Sequence, residues 1–186
     1  MPERILNIPN LLTLARIILT PFIIYAIIEH QAVLALLLMA IAGITDMLDG
    51  AIARYFNQRS RVGAFMDPLA DKLLLISTIV TLYFIDQIPL FLFLAVVFRD
   101  LIIVVGAIAY EMVTHKLEIQ PSIASKITTF LQIVLVLIVL FEMAWQLPGD
   151  ALLHLAVWLT FAFTCISGLQ YMIVWMRKAV SDEGAS

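Results

Sequence analysis

The sequence predicts an all-α integral membrane protein with six transmembrane helices and with N- and C-termini both cytoplasmic. Three observations carry that expectation. The chain of 186 residues is 63% hydrophobic and 13% charged, with a mean hydropathy of +1.04, whereas soluble domains average about 45–50% apolar and about 25% charged residues. Six apolar segments follow one another, approximately 11–28, 32–55, 63–85, 89–112, 123–144 and 151–176, each near the ~20 residues that a helical span requires. Finally, β-barrel alternation is absent, and a helix in lipid satisfies its own backbone hydrogen bonds. No repeat, low-complexity tract or long linker interrupts the pattern, so residues 1–186 read as a single membrane domain.

The first segment follows MPERILNIPN, which lacks the ordered charged, apolar and small-residue parts of a signal peptide, so it is expected to be retained. Arg16 lies just inside this segment, where snorkelling to the interface is the ordinary reading. The second ends in TDMLDGAIARY, which brings Asp46, Asp49, Gly50, Ala53 and Arg54 to its end. The third carries Gly63, Asp67 and Asp71; Asp67-Pro68 also reads as an N-cap followed by proline in the first turn. The fourth holds Arg99-Asp100 at mid-length, and the fifth opens on SKITTFLQ with Lys126. The sixth contains the single cysteine, Cys165, which rules out an intrachain disulfide and reads as a packing residue. Trp145, Trp158 and Trp175 are candidates for interfacial anchors or packing, and His30, His115 and His154 have no paired ligand nearby.

Charge sets the orientation. With six spans, one side receives Arg4, Arg54, Arg59, Arg61, Lys116, Arg177 and Lys178, whereas the breaks around Glu29, Asp86 and Asp150 contain no Lys or Arg. The positive-inside rule therefore puts the termini and the aspartate-rich loop in the cytoplasm. A bacterial cytoplasmic (inner) membrane is the expected setting.

On helices, Asp46 and Asp49 are three apart and Asp67 and Asp71 four apart, so each pair shares a face. A short turn between the two helices would bring the pairs together near the cytoplasmic surface. Four adjacent carboxylates repel, and burying them unpaired is costly. Divalent cations remove both problems, and hard oxygen ligands without nearby His or Cys favour Mg²⁺ or Mn²⁺ over zinc. The plainer reading is capping and pairing with Arg54, Arg59, Arg61 or Lys72.

Asp46, Asp49, Gly50, Ala53, Arg54, Gly63, Asp67 and Asp71 spell DxxDGxxAR, eight residues, GxxxDxxxD. This pattern resembles the signature of the CDP-alcohol phosphatidyltransferases, membrane enzymes that transfer a phosphatidyl group from a CDP-linked lipid to an alcohol and release CMP. The resemblance implies two metals per active site, held chiefly by Asp46, Asp49 and Asp67. Asp71 would contribute to the second metal and act as general base. It also implies that Gly50, Arg54 and Ser60 touch the CDP-diacylglycerol donor, with Ala53 and Gly63 keeping the pocket open. NIPNLLTLAR is similar to the family's PNxLTxxR opening through Pro9, Asn10, Thr13 and Arg16, which adds Asn10 and Thr13 to the donor site. A homodimer is suggested by the same resemblance.

Arg99 and Lys126 are the candidates for binding a phosphate-bearing alcohol acceptor, Arg99 through its planar multidentate donor. Thr128, Thr129 and Gln132 could add hydrogen bonds. These features resemble the family branch that uses glycerol-3-phosphate, the acceptor expected first. SKITT departs from that branch's GKxKT, however, at Ser125 and Thr128. With FRD at residues 98–100 it also resembles the branch whose acceptor is phosphatidylglycerol. The expected partners are thus donor, acceptor and membrane lipids, with no nucleic acid. A divalent-cation transporter is the rival from another class, but the acids cluster around one loop instead of forming a ladder across the membrane.

Overall fold

The computed structural model describes residues 8–55, 61–114, 123–147 and 149–183, with side chains over 11–48, 69–106, 123–147 and 149–174. The described residues form six α-helices: α1 Ile8–Ile28, α2 Ala32–Tyr55, α3 Arg61–Phe84, α4 Leu90–Thr114, α5 Ile123–Trp145 and α6 Asp150–Glu183. The apolar segments thus become helices with small shifts at most ends. Two ends differ for physical reasons. Arg177 and Lys178 end the apolar run, yet α6 continues to Glu183, since no Gly or Pro lies among residues 177–183. Because α3 already begins at Arg61, Asp67 and Pro68 lie inside that helix. They do not form its cap and first turn.

Three helix ends close tightly. After α1, the His30 amide donates to the Ile27 carbonyl at 3.0 Å and the Gln31 amide to that of Ala26 at 2.8 Å. This is a Schellman closure with His30 in the left-handed region at φ 55°. The end of α3 repeats it, with Asp86 N–H on Tyr83 O at 3.0 Å and Gln87 N–H on Leu82 O at 2.9 Å, Asp86 having φ 60°. At the end of α5, the Gln146 amide reaches Glu142 O at 2.7 Å with φ 57°. Each closure satisfies carbonyls that a helix end would leave exposed.

Two compact units are distinguished, residues 1–87 with 136–149, and residues 88–135 with 150–186. In the first, α1 packs on both α2 and α3. Thr13, Arg16, Thr20, Ile23 and Ile27 form the buried face of α1, while Leu11, Leu14, Ile18, Phe22 and Tyr25 face outward. Ala32, Ala35 and Ala42 are buried on α2, small side chains that permit close helix approach. Pro21 interrupts the α1 hydrogen-bond ladder, and Thr20 Oγ1 donates nearby to the Arg16 carbonyl at 3.0 Å.

In the second unit, α4 packs on α6. Phe91 stacks on Trp158 with centroids 5.1 Å apart and meets Phe161 edge-on, also at 5.1 Å. Val157, Thr160, Thr164, Ser167 and Tyr171 are the buried face of α6, whereas Leu155, Leu159, Ile166 and Leu169 are exposed. In both units buried hydroxyls accompany an apolar core, while many large apolar side chains face outward. So much exposed apolar surface fits a chain solvated by lipid. Among the described residues, Leu11–Ile28, Ile123–Trp145 and Asp150–Val174 are long and apolar enough to cross a membrane, and Ala32–Leu48 is a shorter apolar helix.

Candidate functional site

The aspartate motif occupies the C-terminal part of α2 and the N-terminal part of α3. Of its four carboxylates, the side chains of Asp46 and Asp71 are described, and they converge on one cation. Arg16 Nη2 lies 2.9 Å from Asp46 Oδ1, and Arg16 Nη1 donates to Asp71 Oδ1. The arginine side chain is 1% exposed, Asp46 48% and Asp71 51%. Residues 30 and 55 positions from Arg16 therefore meet on the buried face of α1. A charge so deep in an apolar helix requires such partners.

Asp49, Gly50, Ala53, Arg54, Gly63 and Asp67 lie on α2 and α3 with side chains outside the described residues, as does that of Asn10 on α1; Ser60 lies outside them entirely. Thr13 is buried three residues before Arg16, on the same face. Among the described residues no group of three or more His, Cys, Asp or Glu side chains is gathered. The described pair nevertheless fits a divalent cation in two respects. The donors are hard oxygens, and Asp46 and Asp71 come from different helices to share one positive charge while each keeps about half its surface open.

The candidate acceptor residues belong to the second unit. Arg99 is 3% exposed and clips three helices together. Its Nη1 bonds Asp100 Oδ1 at 2.5 Å, and its Nη2 bonds Ser125 Oγ on α5 at 2.5 Å. Nε and Nη2 both reach Ser167 Oγ on α6, at 3.3 Å. Gly168 adjoins this clip, and a Cβ there would lie 3.8 Å from Arg99 Cβ and Cγ. Lys126, next to Ser125, is exposed at the start of α5 and is not among the groups around Arg99. Thr128 is fully buried, with its hydroxyl 3.0 Å from the Phe163 carbonyl and 2.9 Å from that of Ala124. Thr129 is exposed and donates to Ser125 O at 3.1 Å. Gln132 is buried, and its Nε2 has no hydrogen-bond partner among the described residues.

Two residues have no site role in the sequence reading. Arg16 stands there in the PNxLTxxR opening and as a snorkelling side chain, although the spacing of Thr13, Arg16, Thr20, Ile23 and Ile27 already marks one helix face. Ser167 had only the recurrence of hydroxyls at 160, 164 and 167 to point to it.

Residues 6–166, which run through both units, match the family model for CDP-alcohol phosphatidyltransferase. The chain is 34% identical over 187 residues to a probable cardiolipin synthase (CMP-forming) of Drosophila melanogaster, covering 92% of this chain and 58% of that protein. It thus spans about three-fifths of that relative's length. It is 36% identical over 126 residues to a CDP-diacylglycerol–glycerol-3-phosphate 3-phosphatidyltransferase of Aquifex aeolicus, covering 67% of this chain and 70% of the other. Against a probable phosphatidylglycerophosphate synthase of Mycobacterium tuberculosis the identity is 32% over 191 residues, covering 97% and 85%.

Proposed function

The chain belongs to the CDP-alcohol phosphatidyltransferase family, and we propose that it transfers the phosphatidyl group of CDP-diacylglycerol to a glycerol hydroxyl of a phosphate-bearing acceptor. The observation that carries this reading is the convergence of Asp46 and Asp71, both members of the motif, at one point of α1. Asp46, Asp49, Asp67 and Asp71 would hold two Mg²⁺ or Mn²⁺ ions. These supply, when bound, the positive charge that offsets charge developing on the diphosphate oxygens. Asp71, half exposed, accepts the proton of the acceptor hydroxyl. The hydroxyl oxygen bonds to the lipid-linked phosphorus as the bond from that phosphorus to the CMP oxygen breaks. CMP leaves, and the proton passes from Asp71 to solvent. Asn10, Thr13, Gly50, Ala53, Arg54, Ser60 and Gly63 would line the donor site. Six spans, cytoplasmic termini, an active site facing the cytoplasm of a bacterial inner membrane, and a homodimer complete the proposal.

The acceptor has two readings. Glycerol-3-phosphate, with its doubly charged phosphate, is the first expectation from sequence and accords with the Aquifex relative's name. Phosphatidylglycerol, a singly charged diester, is favoured by the side chains around Arg99. Asp100 already offsets that guanidinium. Where the glycerol-3-phosphate branch carries a second lysine, this chain has Thr128, buried with its hydroxyl against backbone carbonyls. Among the described side chains, an Arg99 offset by Asp100 and a Thr128 in place of lysine supply little net positive charge, which suits the less charged phosphate, so phosphatidylglycerol becomes the preferred acceptor. The test is CMP release by purified protein with CDP-diacylglycerol and Mg²⁺, offering each acceptor separately and weighing the products. Cardiolipin from phosphatidylglycerol supports the preferred reading, and phosphatidylglycerophosphate from glycerol-3-phosphate restores the other. Absence of CMP release with both refutes both.

A further inference from the structure

We infer that Arg16 is a positioning residue of the carboxylate centre, holding Asp46 and Asp71 from the protein side so that their outward parts can ligate metal. The inference rests on the metal reading proposed above and adds to it a residue outside the aspartate motif. Three observations support it. The burial is graded, with the guanidinium 1% exposed and the two carboxylates about half exposed, so the cation sits behind its partners. Second, α1 packs on both α2 and α3, and Arg16 reaches one carboxylate from each with different nitrogens. A planar guanidinium bridging two helices fixes the distance and angle between the carboxylates in a way that a point charge cannot. Third, the contact to Arg16 falls at Oδ1 of each carboxylate. A carboxylate offers about four acceptor sites, so this contact does not by itself exclude a metal.

The alternative role is that of a counter-ion, in which Arg16 merely occupies the position that metal takes. The two roles predict opposite effects on metal affinity. Partners that orient ligating carboxylates typically contribute ~10–100-fold to metal affinity, whereas removal of a competing cation strengthens binding.

The experiment is a Mn²⁺ titration of the purified full chain in detergent, followed by electron paramagnetic resonance of free Mn²⁺, without lipid substrates. Arg16→Gln is expected to weaken Mn²⁺ binding ~10–100-fold, with Arg16→Lys recovering part of the loss. Both variants binding as tightly as the unaltered protein, or more tightly, would overturn the positioning role. Thermal unfolding checks that each variant is folded. If Arg16→Gln does not fold, Arg16→Lys decides alone: weakened binding upholds the role and unchanged or tighter binding ends it. Failure of the unaltered protein itself to bind Mn²⁺ would overturn the metal reading and this inference with it, a pattern distinct from normal binding in every variant.

Discussion

Arg16 and Arg99 are 1% and 3% exposed, and each is partnered within its own unit. Arg16 joins carboxylates from two other helices, while Arg99 takes a neighbouring aspartate and two serine hydroxyls. Their substitutions should therefore behave differently. Arg99→Ala removes the guanidinium that offsets the buried Asp100 carboxylate, at a cost of up to ~3–5 kcal/mol. Thermal unfolding in detergent should show a large loss for Arg99→Ala and recovery of much of it in Arg99→Ala/Asp100→Ala. Equal losses in the single and double variants would refute the clip as the source of the effect. At the proposed base, Asp71→Asn should slow CMP release by at least ~10²-fold while CDP-diacylglycerol still binds. A rate near that of the unaltered enzyme would remove Asp71 from the proton-transfer role.

Helix ends show a second kind of constraint. His30, Asp86 and Gln146 adopt φ of 55°, 60° and 57°, a conformation costing ~1–2 kcal/mol for a residue with a Cβ. Hydrogen bonds that close α1, α3 and α5 offset it. His30→Gly keeps those backbone bonds and removes the Cβ penalty, so it should raise stability by up to ~1 kcal/mol, read as a higher unfolding temperature. A lower unfolding temperature would mean that the imidazole itself holds the turn. Within α6, Gly168 borders Arg99 at ordinary contact distance for an added Cβ. Gly168→Ala should therefore fold normally, whereas Gly168→Leu should displace the Arg99 clip and lower stability by ~1–3 kcal/mol through overpacking.

For the whole molecule, the proposed topology makes a direct prediction. The turns at His30, Asp86 and Gln146 lack Lys and Arg, and residues 57–61 contain Arg59 and Arg61. After replacing the lone Cys165 by serine, a cysteine at 30 or 86 should react with an impermeant maleimide in intact cells. A cysteine at 60 should react only after the membrane is opened. The reverse pattern would invert the orientation and place the aspartate centre on the outside. The mechanism adds a chemical test: chelation should abolish CMP release, with Mg²⁺ or Mn²⁺ restoring it. Activity that survives exhaustive chelation would refute the metal role.

Helix number, approximate bounds and the aspartate pattern were legible because they depend on local information. Apolarity over about 20 residues and spacing of three or four along a helix need no knowledge of distant partners. The family resemblance had the same source, for Asp46, Asp49, Gly50, Ala53, Arg54, Gly63, Asp67 and Asp71 stand within one short stretch. What sequence could not determine was which polar groups would meet. Arg16 was compatible with snorkelling until α1 packed against α2 and α3 and brought Asp46 and Asp71 to it. Arg99 reads from sequence as a ligand group or half of a local pair, and only packing shows that Ser125 and Ser167 from other helices also meet it. The left-handed closures at His30, Asp86 and Gln146 were hidden because none is glycine, and the backbone bonds that support them exist only after the turns form. Each case turns on long-range packing: in an apolar environment an ionised side chain must find partners, and the folded helices determine where they are.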